Sequence, residues 1–299
     1  MGHTAKIGRF CMSQSSLPSM RIIFFSNQPP PLVNAIVESL GAMGQQVLLV
    51  VTTPGTRTRP NENYHRIVAS GRRDLDVLVT SHMSRLPAIL RGLEPDVIFS
   101  AGFPWKLPPA LLKVPRLGCI NAHPALLPKY RGPEPVFWQI MNGEPQIGMT
   151  IHRMDAEFDT GAILVQRAMD ISEDDDIDSV FSKLLTLGGP LLPEALAAVA
   201  ASVPGTPQPV EGSYAPMVTE AERNLDWNRS AVQLRNQVRA WGSQGALARI
   251  DGKVYLVRRA RVVPTSFPAQ PGTVLERSDE RLLVQAGQDA LLIEDFREA

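Results

Sequence analysis

The sequence predicts an α/β protein in which a doubly wound, mostly parallel sheet is followed by a small antiparallel barrel. Three observations support this fold class. Short runs rich in Val, Ile and Leu alternate with amphipathic segments from residue 20 to residue 202, as in βαβ units. A Pro- and Gly-rich stretch covers residues 203–216. Five short apolar segments then follow a single helical segment, a pattern typical of a small antiparallel barrel.

The first part of the chain contains the segments that we expect to form the parallel sheet. Continuous apolar runs, rather than strict alternation, indicate strands covered by helices on both faces. The predicted strands lie at 21–25, 47–52, 76–80, 96–100, 118–121, 147–153 and 162–167. The predicted helices lie at 32–42, 84–92, 134–141 and 177–201. Residues 20–202 are therefore assigned to the first domain.

The two ends of this domain are marked by composition. Residues 1–19 are polar and lack the apolar core of a secretory signal, so we predict a disordered extension. Residues 203–216 have the composition of an extended linker. The second domain then covers residues 217–299.

The second domain is predicted to contain one helix and five strands. Ser230 is a good cap for a helix that ends near Ala240. The Asp251-Gly252 pair between two apolar segments indicates a hairpin turn. The predicted strands lie at 246–250, 254–262, 272–276, 281–285 and 290–293.

Composition excludes several classes of protein. The chain has 299 residues, of which 44% are hydrophobic and 20% charged, as in a globular protein. Its formal net charge is zero, which argues against a protein that coats DNA or RNA. No run approaches the ~18 apolar residues of a membrane span. The two cysteines, Cys11 and Cys119, lie far apart and outside any metal-binding spacing, which predicts a reducing, cytoplasmic setting and no metal site.

The first chemistry-bearing segment ends a predicted strand of the parallel sheet. Asn121 and His123 are two residues apart, so their side chains project from the same face of the strand. The carboxyl edge of such a sheet is where ligands bind. Pro124 and Pro128 follow and stiffen the adjoining loop. An Asn-x-His pair is also compatible with a purely structural role.

The second segment, residues 154–161, carries three carboxylates within five residues: Asp155, Glu157 and Asp159. Clustered acids on a loop are often only solvated. A carboxylate placed beside His123, however, would stabilise the imidazolium and raise its pKa. Such a pair could move protons without a metal ion.

Together these segments read Asn-x-His-Pro-x-Leu-Leu-Pro-x-x-Arg-Gly over residues 121–132, followed by Asp-x-x-x-Asp-Thr-Gly over residues 155–161. This pattern resembles the 10-formyltetrahydrofolate-dependent formyltransferase family, and it is closest to the methionyl-tRNA formyltransferase type. The likeness extends to residues 115–121 and, in the second domain, to 225–227 and 237–241. It implies that a Rossmann-like, doubly wound, mostly parallel sheet in a catalytic domain precedes an OB-like antiparallel β-barrel.

The resemblance implies roles for particular residues. An acceptor amine would attack the formyl carbon of 10-formyltetrahydrofolate, while Asn121 and a protonated His123 donate hydrogen bonds to the oxyanion. Asp159 would orient His123 and help to remove the amine proton. The folate pocket is expected between two loops. Its predicted contacts are Phe103, Trp105, Leu107, Met154, Asp155 and Glu157.

Several features bear on the acceptor. Ser26–Pro29 replaces the Gly-Thr-Pro of tRNA-acting members, and the loop at 53–61 is short and carries few charges. Glu157 stands where Gly is usual. Residues 217–299 carry 12 Lys and Arg against 11 Asp and Glu, a net charge of +1. These departures predict that the acceptor is a small molecule with a primary amine or hydroxylamine, such as an amino sugar or a modified amino acid.

Three other functions stay open. The nearest is formylation of methionyl-tRNA, for which residues 258–261 offer a local basic patch. The others are hydrolysis of 10-formyltetrahydrofolate and a folate- or nucleotide-binding module without catalysis. Lys129 and Arg131 are candidates for contacts with substrate charge.

Overall fold

The structure is a computed structural model that describes residues 17–56, 59–61, 63–70, 74–265 and 269–299. The predicted disordered extension at 1–19 falls mainly outside these ranges. The first nine strands run in chain order as β1 Arg21–Phe25, β2 Gln46–Thr52, β3 Gly55–Thr56, β4 Arg59–Pro60, β5 Val77–Val79, β6 Val97–Ala101, β7 Cys119–His123, β8 Gln146–Arg153 and β9 Ile163–Asp170. Strands β3 and β4 pair only with each other.

Seven of these strands form one mixed sheet in the order β5-β2-β1-β6-β7-β8-β9. Pairing is parallel from β5 to β7 and antiparallel from β7 to β9. Successive side chains of β1 enter different cores, with Phe24 on one face and Ile23 and Phe25 on the other. Helices cover both faces because both rows of side chains are apolar. The predicted doubly wound α/β fold is confirmed.

Eight α-helices are found among the described residues. They are α1 Pro30–Ala42, α2 Asn63–Ala69, α3 Leu86–Arg91, α4 Pro109–Leu112, α5 Pro135–Met141, α6 Ile177–Gly188, α7 Leu191–Ala200 and α8 Ala231–Trp241. The single long helix predicted at 177–201 is wrong. The chain bends by 43° between α6 and α7, where Gly188, Gly189 and Pro190 interrupt the helix. Proline has no N–H to continue the helical hydrogen bonds.

In the described part of the chain, no single helix is long and apolar enough to cross a membrane, and the bent pair α6 and α7 passes that test by length and composition only.

A second, antiparallel sheet occupies the C-terminal part. Its strands are β10 Ala246–Ile250, β11 Lys253–Val263, β12 Val274–Arg277, β13 Leu282–Gln285 and β14 Ala290–Glu298. They pair in the order β10-β11-β14-β13-β12. Asp251 and Gly252 both have positive φ, 49° and 78°, between β10 and β11, which confirms the predicted hairpin. Ser230 caps α8 through a capping box with Gln233, as the sequence predicted.

One apolar core joins the two sheets. Phe137 of α5 packs edge-on against Trp241 of α8, with ring centroids 5.5 Å apart. Leu234 and Val238 of α8 belong to the same buried cluster, together with Val284 of β13. The C-terminal sheet is therefore packed on α8, which in turn packs on α5, the helix that follows the chemistry-bearing strand β7.

A buried carboxylate strengthens this junction just before α6. Asp175 accepts hydrogen bonds from Lys183 Nζ at 2.6 Å, from Ser172 N at 2.7 Å and from Ser179 Oγ at 2.9 Å. Its carbonyl oxygen accepts one from Arg239 Nε of α8 at 2.6 Å. Burial raises the pKa of Asp175, but these donors outweigh burial and lower the pKa to about 2.

This low pKa predicts a pH-dependent contribution to stability. We expect Asp175→Asn to lower the free energy of unfolding by about 2 kcal/mol above pH 4. The difference from wild type should shrink as pH falls from about 4 to about 2, because wild type then loses its charged hydrogen bonds. Denaturant titrations over this range test it, with exposed Asp174→Asn as the control. A difference that does not change with pH would contradict the assignment.

Candidate active site

Asn121 and His123 lie at the carboxyl end of β7, near the middle of the large sheet. Both side chains reach the same carboxylate. Asn121 Nδ2 lies 3.3 Å from Asp159 Oδ1, and His123 Nδ1 lies 3.6 Å from Asp159 Oδ2. The structure therefore brings together the amide, the imidazole and the carboxylate that the sequence singled out.

Asp159 sits in the loop between β8 and β9 with an unusual backbone conformation. Its φ is +57°, which Asp tolerates better than most residues but which still costs on the order of 1 kcal/mol. The carboxylate is 9% exposed, and the backbone N–H of Gly132 donates to its Oδ2 at 2.9 Å. This hydrogen bond ties the end of the loop after β7 to Asp159.

Two glycines allow the loops to approach so closely. Gly132 has φ +106°, and a Cβ there would lie 2.6 Å from the ring of Tyr214. A Cβ at Gly161 would overlap the carbonyl oxygen of Arg153. Both glycines lie in the sequence motifs described above, where their role is steric.

His152 of β8 is a fourth member of the cluster, and the sequence analysis missed it. It pairs with Asn121 in the antiparallel register of β7 and β8. Its Nε2 lies 3.3 Å from Asn121 Nδ2 and 3.4 Å from Asp159 Oδ1. Its Nδ1 lies 2.7 Å from the carbonyl oxygen of Arg153. Since a carbonyl only accepts, Nδ1 carries a proton and Nε2 faces the cluster.

The charges in this cluster follow from burial and proximity. Burial raises the pKa of Asp159, but His123, His152 and the Gly132 N–H together lower it to about 2. Burial lowers the pKa of His123 and outweighs the opposing effect of Asp159. The expected rise in the pKa of His123 is therefore wrong, since the imidazole is only 4% exposed. The resting site holds an ionised carboxylate beside a neutral imidazole.

The hydrogen bonds of His123 define its tautomer. Nε2 lies 2.8 Å from the carbonyl oxygen of Tyr130 and must donate to it. In the neutral ring, Nδ1 is then an unprotonated nitrogen that faces Asp159. A proton arriving at Nδ1 would be stabilised at once by the carboxylate.

A cavity of about 1090 Å³ opens beside the cluster. Its walls include Asn121, His123, His152, Asp159 and all six predicted folate contacts, which are Phe103, Trp105, Leu107, Met154, Asp155 and Glu157. Phe103 and Trp105 meet edge to face at 6.1 Å. Leu107 is 2% exposed and also belongs to the apolar core beneath.

Two of the predicted folate contacts already have partners within the protein. Asp155 Oδ1 accepts hydrogen bonds from Glu157 N at 3.1 Å and from Thr160 Oγ1 at 2.7 Å, which shapes its own loop. Glu157 pairs with Lys106 at 2.6 Å. The Lys106 ammonium also lies 5.0 Å from the centroid of the Phe158 ring. The two cavity loops are thus joined across the mouth of the cavity.

The candidate substrate contacts at Lys129 and Arg131 are engaged elsewhere. Lys129 Nζ lies 3.5 Å from Glu144 Oε1. Arg131 donates to Gln208 Oε1, Pro209 O and Val210 O at 3.0, 2.9 and 3.3 Å. The hypothesis that Arg131 meets substrate charge is not supported, because these acceptors occupy its guanidinium.

The fold and the site together describe an α/β protein with a carboxylate and hydrogen-bond donors at the carboxyl end of a central strand, beside a large cavity with mostly apolar walls. Residues 20–196 match the family described as formyl transferase, and residues 217–299 match its C-terminal domain. The chain belongs to the formyltransferase family, as the sequence motifs indicated.

Curated relatives cover nearly the whole chain. Methionyl-tRNA formyltransferase of Caldanaerobacter subterraneus is 33% identical over 290 residues, which span 93% of this chain and 92% of that protein. The protein of the same name from Citrifermentans bemidjiense is 35% identical over 295 residues, which span 94% and 90%.

Solved structures show the same fold at lower identity. WlaRD, a sugar 3N-formyltransferase studied with dTDP and 5-N-formyl-THF, aligns with a TM-score of 0.69 and 18% identity over 93% of this chain and 97% of its own. HypX from Aquifex aeolicus, in complex with tetrahydrofolic acid, aligns with a TM-score of 0.65 and 23% identity over 93% of this chain. That alignment spans only 44% of HypX, so this chain corresponds to less than half of it.

The pKa of His123 provides a direct test of the cluster. Asp159 raises the pKa of His123 against the effect of burial, so Asp159→Asn should lower it further. In NMR titrations of the histidine rings, we expect the midpoint of His123 to move to lower pH in this variant. The exposed His82 serves as the internal reference. An unchanged midpoint for His123 would contradict the interaction.

Proposed function

We propose that this enzyme transfers the formyl group of 10-formyltetrahydrofolate to a primary amine, and that the amine is the methionyl end of a charged tRNA. The observation that carries the chemistry is the convergence of Asn121, His123 and Asp159 at the edge of one cavity. The curated relatives that align over nearly their whole length are methionyl-tRNA formyltransferases, and they support this acceptor. The sequence analysis preferred a small amine as the acceptor; that small amine is now the second candidate.

The cavity suits the folate donor. A volume of about 1090 Å³ is large enough for a folate-sized ligand, and aromatic and apolar walls with a few polar groups are typical of such sites. Phe103, Trp105 and Met154 would contact the flat pterin ring, with Leu107 supporting them from beneath. Asp155 and Glu157 would supply polar contacts. The bound donor supplies the activated formyl group, and its leaving nitrogen must receive a proton.

His123 would move that proton. Its neutral Nδ1 would accept a proton from the attacking amine, and Asp159, 3.6 Å away, would stabilise the imidazolium. The same proton can then pass to the leaving nitrogen of the donor, so that His123 ends the cycle neutral. This arrangement favours His123 as the base, whereas the sequence analysis gave it the role of a protonated oxyanion donor.

Asn121 is the side chain left to stabilise the oxyanion. Both contacts of its Nδ2, to Asp159 Oδ1 and to His152 Nε2, are 3.3 Å long, which is weak for hydrogen bonds. One of them can be exchanged for the developing oxyanion at little cost. The remaining contact would hold the amide in place while it does so.

The two parts of the chain then have different tasks. We propose that residues 20–202 bind the donor and carry the chemistry, that residues 203–216 connect the parts, and that residues 217–299 contact the acceptor. Arg259 and Arg261 of β11 are 68% and 66% exposed on the C-terminal sheet and would face tRNA phosphates.

A specific observation favours the small amine as the second candidate. Both of these arginines already pair with Glu294, at 3.5 and 3.2 Å. A carboxylate between two arginines weakens the field that would attract phosphates. A small amine would need no such field.

Substitution of the central residues tests the chemistry. We expect His123→Ala and Asp159→Asn each to lower kcat by at least 100-fold, since positioned acid–base and oxyanion groups contribute about 10²–10⁴. Release of deformylated folate, followed by absorbance, measures the rate. Exposed Asp170→Asn, outside the cavity lining, is the control. Full activity in either variant would remove that residue from the mechanism.

An acceptor screen tests the substrate. The purified enzyme with 10-formyltetrahydrofolate is offered methionyl-tRNA, amino sugars and amino acids in parallel. We expect turnover with methionyl-tRNA and a KM for it that rises steeply with salt, because phosphate contacts release counterions. Arg261→Gln should reduce this salt dependence, with Arg277→Gln as its control.

Two results of the screen would overturn the proposed acceptor. Turnover with an amino sugar or amino acid, and none with methionyl-tRNA, would establish the second candidate. Release of folate at the full rate without any amine would indicate hydrolysis instead of transfer.

A further inference from the structure

We propose that Gln208, in the segment that joins the two parts of the chain, is a positioning residue that holds Asp159 in its working conformation. The inference rests on the proposed formyl transfer, since it concerns the efficiency of the same centre. It assigns a function to residues 203–216, which the sequence analysis treated only as a linker.

The side-chain amide of Gln208 is fully engaged by two loops of the site. Its Nε2 donates to the backbone carbonyl oxygens of Asp159 and Gly161, at 2.8 and 2.7 Å. Its Oε1 accepts from Arg131 Nη2 at 3.0 Å and from Arg131 Nε at 3.3 Å. One amide thus connects the loop after β7 to the loop before β9.

The surrounding segment fixes Gln208 itself. Thr206 exchanges two backbone hydrogen bonds with Ile163 of β9, both 2.8 Å long. On the other side of Gln208, Arg131 N donates to the Ser213 carbonyl at 2.9 Å, and Tyr130 N donates to Ser213 Oγ at 2.8 Å. The segment is therefore held against both loops, and Gln208 lies between its two points of attachment.

Asp159 needs such support because of its backbone. A non-glycine residue with φ +57° persists only where its surroundings hold it. If the backbone of Asp159 relaxed toward a negative φ, its carbonyl group would rotate away from the Gln208 amide. The carboxylate would then move from the Gly132 N–H and from His123. A shift of about 1 Å in a catalytic group can cost on the order of 100-fold in rate.

Gln208→Glu is the most informative substitution. The carboxylate still accepts from Arg131, but it cannot donate to the two carbonyls and instead repels them. We expect kcat to fall on the order of 10- to 100-fold, with little change in the KM for the folate donor. Gln208→Ala, which only removes the contacts, should show a smaller loss in the same direction.

A matched control separates positioning from folding. Gln285 of β13 donates to two backbone carbonyls in the same way, those of Ala286 and Asp289 at 2.8 and 2.9 Å. Neither of those residues lines the cavity, whereas Asp159, whose carbonyl Gln208 binds, does. Thermal unfolding of each variant gives the folded fraction. Gln285→Glu should keep the wild-type kcat per folded molecule, whereas Gln208→Glu should not.

The pH profile offers a readout that a structural role would not move. Asp159 and His152 are the titratable groups that act on His123. Asp159 raises the pKa of His123 and His152 lowers it, while the hydrogen bond to the Tyr130 carbonyl also raises it. If Gln208→Glu displaces Asp159, the acid limb of kcat/KM should shift to lower pH. If the variant only lost folded protein, kcat/KM would fall by the same factor at every pH and the acid limb would stay at the same pH. That result would overturn the proposal.

A double-mutant cycle tests whether Gln208 acts through Asp159. If Gln208 acts through Asp159, adding Gln208→Glu to Asp159→Asn should change kcat less than twofold. Losses that multiply would mean that Gln208 acts elsewhere, and wild-type kcat in Gln208→Glu alone would also overturn the proposal. Full activity of Asp159→Asn alone would instead overturn the proposed mechanism, so the two failures are distinguishable.

Discussion

The site depends on keeping one buried carboxylate ionised. Asp159 is almost removed from water, and an ionised carboxylate there is stable only if hydrogen-bond donors and protonatable partners surround it. Its partners come from β7, from β8 and from the loop that ends at Gly132. No single segment could supply them, so an ionised carboxylate at this position requires the strands and loops to assemble in one arrangement.

The sequence was sufficient for the parts of this arrangement that follow local rules. The i, i+2 spacing of Asn121 and His123 places both side chains on one face of a strand, whatever the rest of the fold does. Apolar runs without alternation identified the sheet as covered on both faces. Asp159 was found through its motif, and the structure brings it to the pair. Its catalytic role remains a prediction.

What the sequence did not reveal depends on contacts between distant segments. His152 joins the cluster only because β7 and β8 pair in a register that sets it opposite Asn121, and that register is not encoded near either residue. The pKa of His123 was expected to rise beside a carboxylate, but the degree of burial, a property of the whole fold, reverses the direction. The contacts of Gln208 could not be predicted for the same reason, since nothing in the sequence of a Pro-rich segment indicates which loop its side chains will contact.

The choice of acceptor is physically separate from the chemistry. In the proposed mechanism, the cluster requires only an amine that can lose a proton to His123, which an aminoacyl end and an amino sugar both provide. Net charge is a weak guide to the acceptor, because attraction of phosphates is set by charges within about a Debye length, roughly 10 Å, and not by the sum over the chain. The decisive feature is therefore local. The two exposed arginines of β11 share Glu294, and an approaching phosphate must compete with that carboxylate. Competition of this kind weakens binding without abolishing it, so a tRNA substrate remains compatible with a neutral protein.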